Sequence, residues 1–189
     1  GILNSWLKRL MGGARITYDE MNRIGSSALI GSEGLVFIPY GNGVERIMQN
    51  RPVGAHLVGL DLLKHDKSHV VRAAQEGIVC ALTYGFRIMK DMGMNLQTVK
   101  AGHANMFLSP LFRKTFVHMN RVSLELYDTD GAQGAARGAG IGAGIFASEA
   151  EAFQGLSLLE ILEPNVNFFE PYEEAYQQWE NRLNELLRN

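Results

Sequence analysis

The chain has 189 residues, 18 Lys or Arg against 20 Asp or Glu, a formal net charge of −2 and a hydrophobic fraction of 46%. This balance excludes a strongly basic nucleic-acid binder and gives no reason to expect a membrane surface, so neither nucleic acid nor membrane is expected as a partner. The length allows roughly 70% of the unfolded surface to be buried, enough for a core without staples, and the one cysteine, Cys80, excludes an internal disulfide and points to a reducing, cytoplasmic compartment.

The chain opens on Gly1 and not on Met, so a processed product or a part of a longer chain is expected. Leu3, Trp6, Leu7 and Leu10 keep a helical period over 3–11, ended by Gly12-Gly13. Lys8 and Arg9 interrupt it, which suits neither a signal peptide nor a span, and no apolar run reaches the ~20 residues that a bilayer needs. A second helix is predicted over Tyr18–Ala28, capped near Thr17 or Asp19. The apolar run Gly34–Tyr40 predicts a buried strand, Gly41–Pro52 a surface loop and Ala55–Leu60 a short strand.

Val70, Ala74, Ile78, Ala81, Leu82, Gly85, Ile88 and Met92 give the strongest periodicity, a long helix over Ser68–Met92 with Ser68 as N-cap and Gly93 as its stop. Leu96–Ala101 reads as a strand running into the small-residue turn Ala101-Gly102-His103-Ala104-Asn105. Ser109-Pro110 starts a helix, Val122–Leu126 alternates like a strand, residues 131–144 form a Gly/Ala helix, and Pro171–Arg188 carries an apolar face on a terminal helix. Strands alternating with helices predict a single α/β domain with crossover connections.

Several features are candidate sites, each with a plainer reading beside it. The 101–105 turn after a strand could bring backbone N–H groups to a phosphate or a base edge, or be only a tight turn. Glycine is in excess, 21 where the usual ~7% gives roughly 13. Most of the surplus lies in 131–144, which holds six glycines and five alanines. Gly134, Gly138 and Gly142 are spaced by four, as are Gly131, Ala135, Ala139 and Ala143. Interior glycines cost a helix about 1 kcal/mol each, so a neighbour packed closely on this small-residue face is expected to offset them, ahead of direct ligand contact. His65 and His69 could share a metal on a helix face, but Asp66-Lys67-Ser68 opens the helix after His65, and no metal site is expected. Cys80 sits mid-helix among apolar residues as an unreactive thiol. Glu45-Arg46 is a loop ion pair or a partner contact. No catalytic constellation is visible.

The order of motifs resembles one family. Gly34-Leu35-Val36-Phe37-Ile38-Pro39-Tyr40 with Gly43-Val44-Glu45-Arg46 is similar to the "GL.F.PY..GER" stretch of the FGGY carbohydrate kinases. Gly59-Leu60, His65 and His69–Gly77 resemble "GL…H…L.RA..EG". Ala101-Gly102-His103-Ala104 is similar to "GGGA", Ser109–Arg113 to "SPLWRQ" and Asp130–Ala136 to "E.GALGAA". Tyr172 and Tyr176 suit the family's C-terminal end, and the branch that phosphorylates D-xylulose to xylulose 5-phosphate fits best.

The resemblance implies an actin-like, ribonuclease-H-like α/β fold with a mixed sheet and flanking helices. Residues 1–189 would be the C-terminal, nucleotide-binding domain of a two-domain sugar kinase, with ATP and sugar in the cleft between the domains. The carry-over places adenosine on Ala101, Gly102, His103 and Ala104, with Asn105 adjacent, and sets the 131–144 helix near the interdomain hinge. The family's phosphate-binding glycines, its sugar-binding residues and its catalytic aspartate would lie upstream of Gly1. Sugar would therefore be reached through the other domain, and Mg²⁺ would be held by ligands outside this chain. No catalytic residue is assigned here, and the chain alone is expected to be inactive. Two departures stand out: Ala101 and His103 replace glycines of the turn, and Asn105–Leu108 resembles a short insertion. The alternative expectation is a non-catalytic actin-like module used for association, including a homodimer.

Overall fold

In the computed structural model, which describes residues 1–43, 48 and 50–188, the chain runs α1 (Ile2–Met11), α2 (Tyr18–Ser26), β1 (Val36–Tyr40), β2 (Gly54–Val58), α3 (Lys67–Asp91), β3 (Thr98–Gly102), α4 (Pro110–Asn120), β4 (Ser123–Tyr127), α5 (Gly131–Gly142), α6 (Glu149–Ala152), β5 (Leu158–Leu162) and α7 (Phe169–Arg188). The Glu45-Arg46 pair lies outside the described residues.

Helix starts follow from local chemistry. Thr17 caps α2 in a reciprocal box, its hydroxyl accepting from the Glu20 amide at 3.1 Å while the Glu20 carboxylate accepts from the Thr17 amide at 2.7 Å. The N-cap of α3 is Asp66 and not Ser68. The Asp66 carboxylate accepts from both the amide (2.8 Å) and the hydroxyl (2.5 Å) of Ser68, so the serine oxygen is committed as a donor and the carboxylate takes the capping role. Ser109 caps α4 with Pro110 in its first turn, and Asp130 caps α5 through the Gln133 amide at 2.9 Å.

β1 and β2 pair antiparallel. The second sheet has the order β3-β4-β5, with β3 parallel to β4 and β5 antiparallel to it. α4 is the crossover between the parallel pair. The core gathers Ile38 from β1, Phe112 and Phe116 from α4, Leu124 and Leu126 from β4, and Tyr176, Trp179 and Leu183 from α7. α3 lies so close to β1 that a methyl group on Gly77 would stand 3.1 Å from the Phe37 carbonyl carbon. The same Phe37 carbonyl accepts the Trp179 indole N–H at 3.1 Å, which ties the terminal helix to the strand.

The residues that resemble "RA..EG" form a buried polar brace. Arg72 pairs with Glu76 at 2.7 Å, donates to the Ala28 carbonyl at 2.8 Å and reaches the Tyr172 hydroxyl at 3.3 Å. Glu76 also accepts from the Gly31 amide at 3.2 Å. Gln75 spans from Asn22 (2.9 Å) to the capping hydroxyl of Ser109 (2.8 Å), linking α2, α3 and α4.

The Gly/Ala segment is a helix as expected, but its packing differs from the expectation. A methyl group on Gly131, Gly134, Gly138 or Gly142 would meet no heavy atom within 4 Å; only Gly140 is covered, by the Phe146 ring at 2.6 Å. Among the described residues nothing lies within 4 Å of where methyl groups on Gly131, Gly134, Gly138 or Gly142 would stand, so no close neighbour offsets these glycines there. Arg137 ties α5 to α6 by donating to the Ala152 carbonyl. Among the described residues no helix is long and apolar enough to cross a membrane.

Candidate functional site

Because β3 and β4 run parallel, their carboxyl ends leave the sheet side by side, the place where open α/β sheets bind ligands. Both strands end in tight turns. The Ala104 amide donates to the Gly102 carbonyl at 2.8 Å and the Thr129 amide to the Tyr127 carbonyl at 2.8 Å, while the His103 amide crosses to Tyr127 O at 2.9 Å. The His103 N–H is thus bonded across to β4 and the Ala104 N–H within the turn.

Gly102 is required by this crossing. A methyl group there would sit 3.0 Å from the Thr129 carbonyl carbon and 3.2 Å from Asp130 Cα, and would overlap the Thr129 oxygen. The glycine lets the two strand ends close on each other. Asn105 then takes a left-handed φ of 52°, which asparagine tolerates, and 105–108 forms a 3-10 turn. This segment is anchored, with Phe107 edge-on to Phe112 (5.4 Å) and Phe116 (5.6 Å).

Beside the turn lies a cleft of about 660 Å³ lined by Lys100, Ala101 and Gly102 of β3, Tyr127, Thr129 and Asp130 after β4, Gly131 and Gly134 of α5, and Glu149, Ala150, Phe153 and Leu156 beyond it. Ala101 and Gly102 form part of this wall; His103, Ala104 and Asn105 continue the turn past it. Tyr127, Thr129, Glu149 and Phe153 escaped the sequence reading, since no motif marks them and only the folded loops bring them to the strand ends.

The chemistry of the wall is selective. The Tyr127 hydroxyl donates to the Glu125 carboxylate at 2.6 Å, which raises its pKa above the ordinary tyrosine value. The Thr129 hydroxyl is buried with no hydrogen-bond partner among the described residues. Gly131 and Gly134 leave open space where side chains would stand. Lys100 is the one cation of the lining, against the carboxylates of Asp130 and Glu149. Such a wall fits a neutral nucleoside, with aromatic and small-residue surface and a few polar atoms. It does not fit a triphosphate, and no group of three or more metal-ligating side chains occurs among the described residues.

No family profile matches the chain. It is 25% identical over 187 residues to the xylulose kinase of Haemophilus influenzae, covering 95% of this chain and 37% of that protein. Its fold matches that of a ligand-bound xylulose kinase from Lactobacillus acidophilus with a TM-score of 0.83 at 20% identity, over 98% of this chain and 38% of the other. A Plasmodium falciparum glycerol kinase solved with ADP matches with a TM-score of 0.73 at 19% identity, over 99% of this chain and 37% of the other. The chain therefore spans little more than a third of the proteins it matches. The chain thus has the actin-like ATPase fold seen in these carbohydrate kinases, and its sequence is similar to about a third of the xylulose kinase it matches.

Proposed function

We propose that residues 1–189 are the nucleotide-binding domain of an ATP-dependent, xylulokinase-like sugar kinase of the cytoplasm, whose other domain carries the sugar site. The observation that supports this most directly is the cleft at the carboxyl ends of β3 and β4, shaped by Gly102, Gly131 and Gly134 to admit a nucleoside. In this reading Ala101 and Gly102 wall the adenosine, and the turn through His103, Ala104 and Asn105 borders it. The whole enzyme would transfer the γ-phosphoryl group of ATP to a hydroxyl of D-xylulose, giving xylulose 5-phosphate and ADP. This chain binds and orients the nucleoside end. The Asp130 and Glu149 carboxylates disfavour phosphates inside the cleft, and Mg²⁺ would be held with them by ligands beyond this chain.

Calorimetric titration of the chain with a non-hydrolysable ATP analogue tests this reading. Binding at millimolar ligand or tighter is expected, with no sugar phosphorylation by the chain alone. Gly134→Met, which fills open space without a clash, is expected to abolish the heat. No heat with the unaltered chain, or full affinity in Gly134→Met, overturns the placement, and unchanged affinity in His103→Gly removes His103 from the site.

A second reading, the association module, draws on the free edge of β3 and on the half-exposed Leu158, Leu159 and Ile161 of β5. Light scattering separates the two: a homodimer that binds no nucleotide favours association, and a nucleotide-binding monomer disfavours it.

A further inference from the structure

We propose that a second cleft, between the C-terminal ends of α3 and α4 and the middle of α7, binds a hydroxylated phosphate monoester. It measures about 620 Å³ and shares no lining residue with the nucleoside cleft.

Three cations meet at its wall around a single carboxylate. Arg87 donates to both oxygens of Glu173, at 2.8 and 2.9 Å, and Arg121 approaches the same carboxylate at 3.5 Å. Among the described residues Lys90 has no carboxylate partner, and it spends one N–H on the Asn120 carbonyl at 3.1 Å. Its ammonium is pulled below the usual lysine range, first by burial and then by the Arg121 and Arg87 charges, with only Glu173 in opposition. Of the other carboxylates of the lining, Asp91 and Glu180, the second is engaged by the Tyr176 hydroxyl at 2.9 Å. The excess positive charge at Lys90 calls for an anion, and two guanidiniums beside it suit phosphate.

A bare anion leaves part of the wall unanswered. Asn120 and Thr83 are each only 2% exposed and line this cleft, and Asn120 Oδ1 and Thr83 Oγ1 have no hydrogen-bond partner among the described residues. Asn120 Oδ1 is an acceptor, since the amide nitrogen already donates to the Phe116 carbonyl at 2.9 Å, so it needs a donor, which the ionised oxygens held by the cations are not. A ligand hydroxyl donates to it, while the Thr83 hydroxyl either donates or accepts. A phosphate at the cations joined to an alcohol supplies both halves.

The test titrates the intact chain, at constant ionic strength, with glycerol 3-phosphate, inorganic phosphate and glycerol, followed by amide shifts in NMR. Glycerol 3-phosphate is expected to bind several-fold tighter than inorganic phosphate and to move Thr83 and Asn120 rather than Gly102. Glycerol is expected not to bind. Lys90→Met is expected to weaken glycerol 3-phosphate about tenfold, the scale of one charge-assisted hydrogen bond, and Lys90→Arg to restore most of it, with far-UV circular dichroism verifying the fold of each variant. Absence of binding, equal affinity for inorganic phosphate, no change in Lys90→Met, or competition by the ATP analogue each overturns the proposal, leaving the cations as neutralisers of helix C-termini.

Discussion

Gly77→Ala is the sharpest test of how α3 meets β1. The added methyl group would overlap the Phe37 carbonyl oxygen and lie 3.1 Å from its carbon and 3.4 Å from Phe37 Cβ. Comfortable carbon–carbon contact begins at about 3.5 Å, and the obstacle is backbone, which cannot rotate away. Overpacking of this kind costs about 1–3 kcal/mol. The displaced carbonyl also weakens its bond from Trp179, at about 1 kcal/mol. Alanine recovers about 1 kcal/mol of helix propensity. The expected net loss is about 1–3 kcal/mol, read as a lower midpoint in equilibrium urea unfolding with an unchanged slope. Gly134→Ala is the control. It has the same chemistry in open space and is expected to stabilise by about 1 kcal/mol. Equal effects of the two substitutions, or a neutral Gly77→Ala, would refute the close approach of helix and strand.

Two further outcomes follow from the buried and exposed charges. Arg72→Met leaves Glu76 buried without its ion-pair partner and removes the bonds to Ala28 and Tyr172, so a loss of about 3–5 kcal/mol is expected by the same unfolding assay; a loss under 1 kcal/mol would show that the brace contributes little. His69 bonds Glu33 at 2.8 Å, and Glu33, with Asp66 after it, lifts its pKa above the ordinary 6.5. A raised histidine contributes stability that is fully present below pH 6.5 and is lost as pH rises through the folded value. Glu33, held low first by His69, and Asp66, held low first by Ser68, contribute stability present above the ordinary carboxylate range of about 4 and lost in acid. The stability gap between the parent and His69→Gln is therefore expected to be widest between about pH 5 and 6.5 and to close on the alkaline side; a gap that widens with alkalinity contradicts the ion pair.

What the sequence disclosed, and what it hid, divides along a physical line. α3 was legible because its apolar residues keep one period for 25 residues, and only its cap was misplaced, by the choice between a serine and a carboxylate two positions earlier. β5 was not legible. Leu158-Leu159-Glu160-Ile161-Leu162 alternates with neither strand nor helix period, because both of its faces are largely exposed and its place is fixed by pairing with β4. The turn at Gly102 could be read as a glycine requirement, but its cause could not, since the obstructing atoms belong to Thr129 and Asp130, more than twenty residues on. Likewise the motif Arg72–Glu76 gave no hint of Tyr172, a hundred residues away. The Gly/Ala helix shows the limit most clearly. Spacing revealed that a face of small residues exists, while its partner depends on what else is folded beside it. With that face open in this chain, Gly134→Ala and Gly138→Ala should stabilise the isolated domain. If the face meets the second domain of a whole kinase, the same methyl groups should impair closure there, so the sign of the effect in each context reports whether α5 is an interdomain surface.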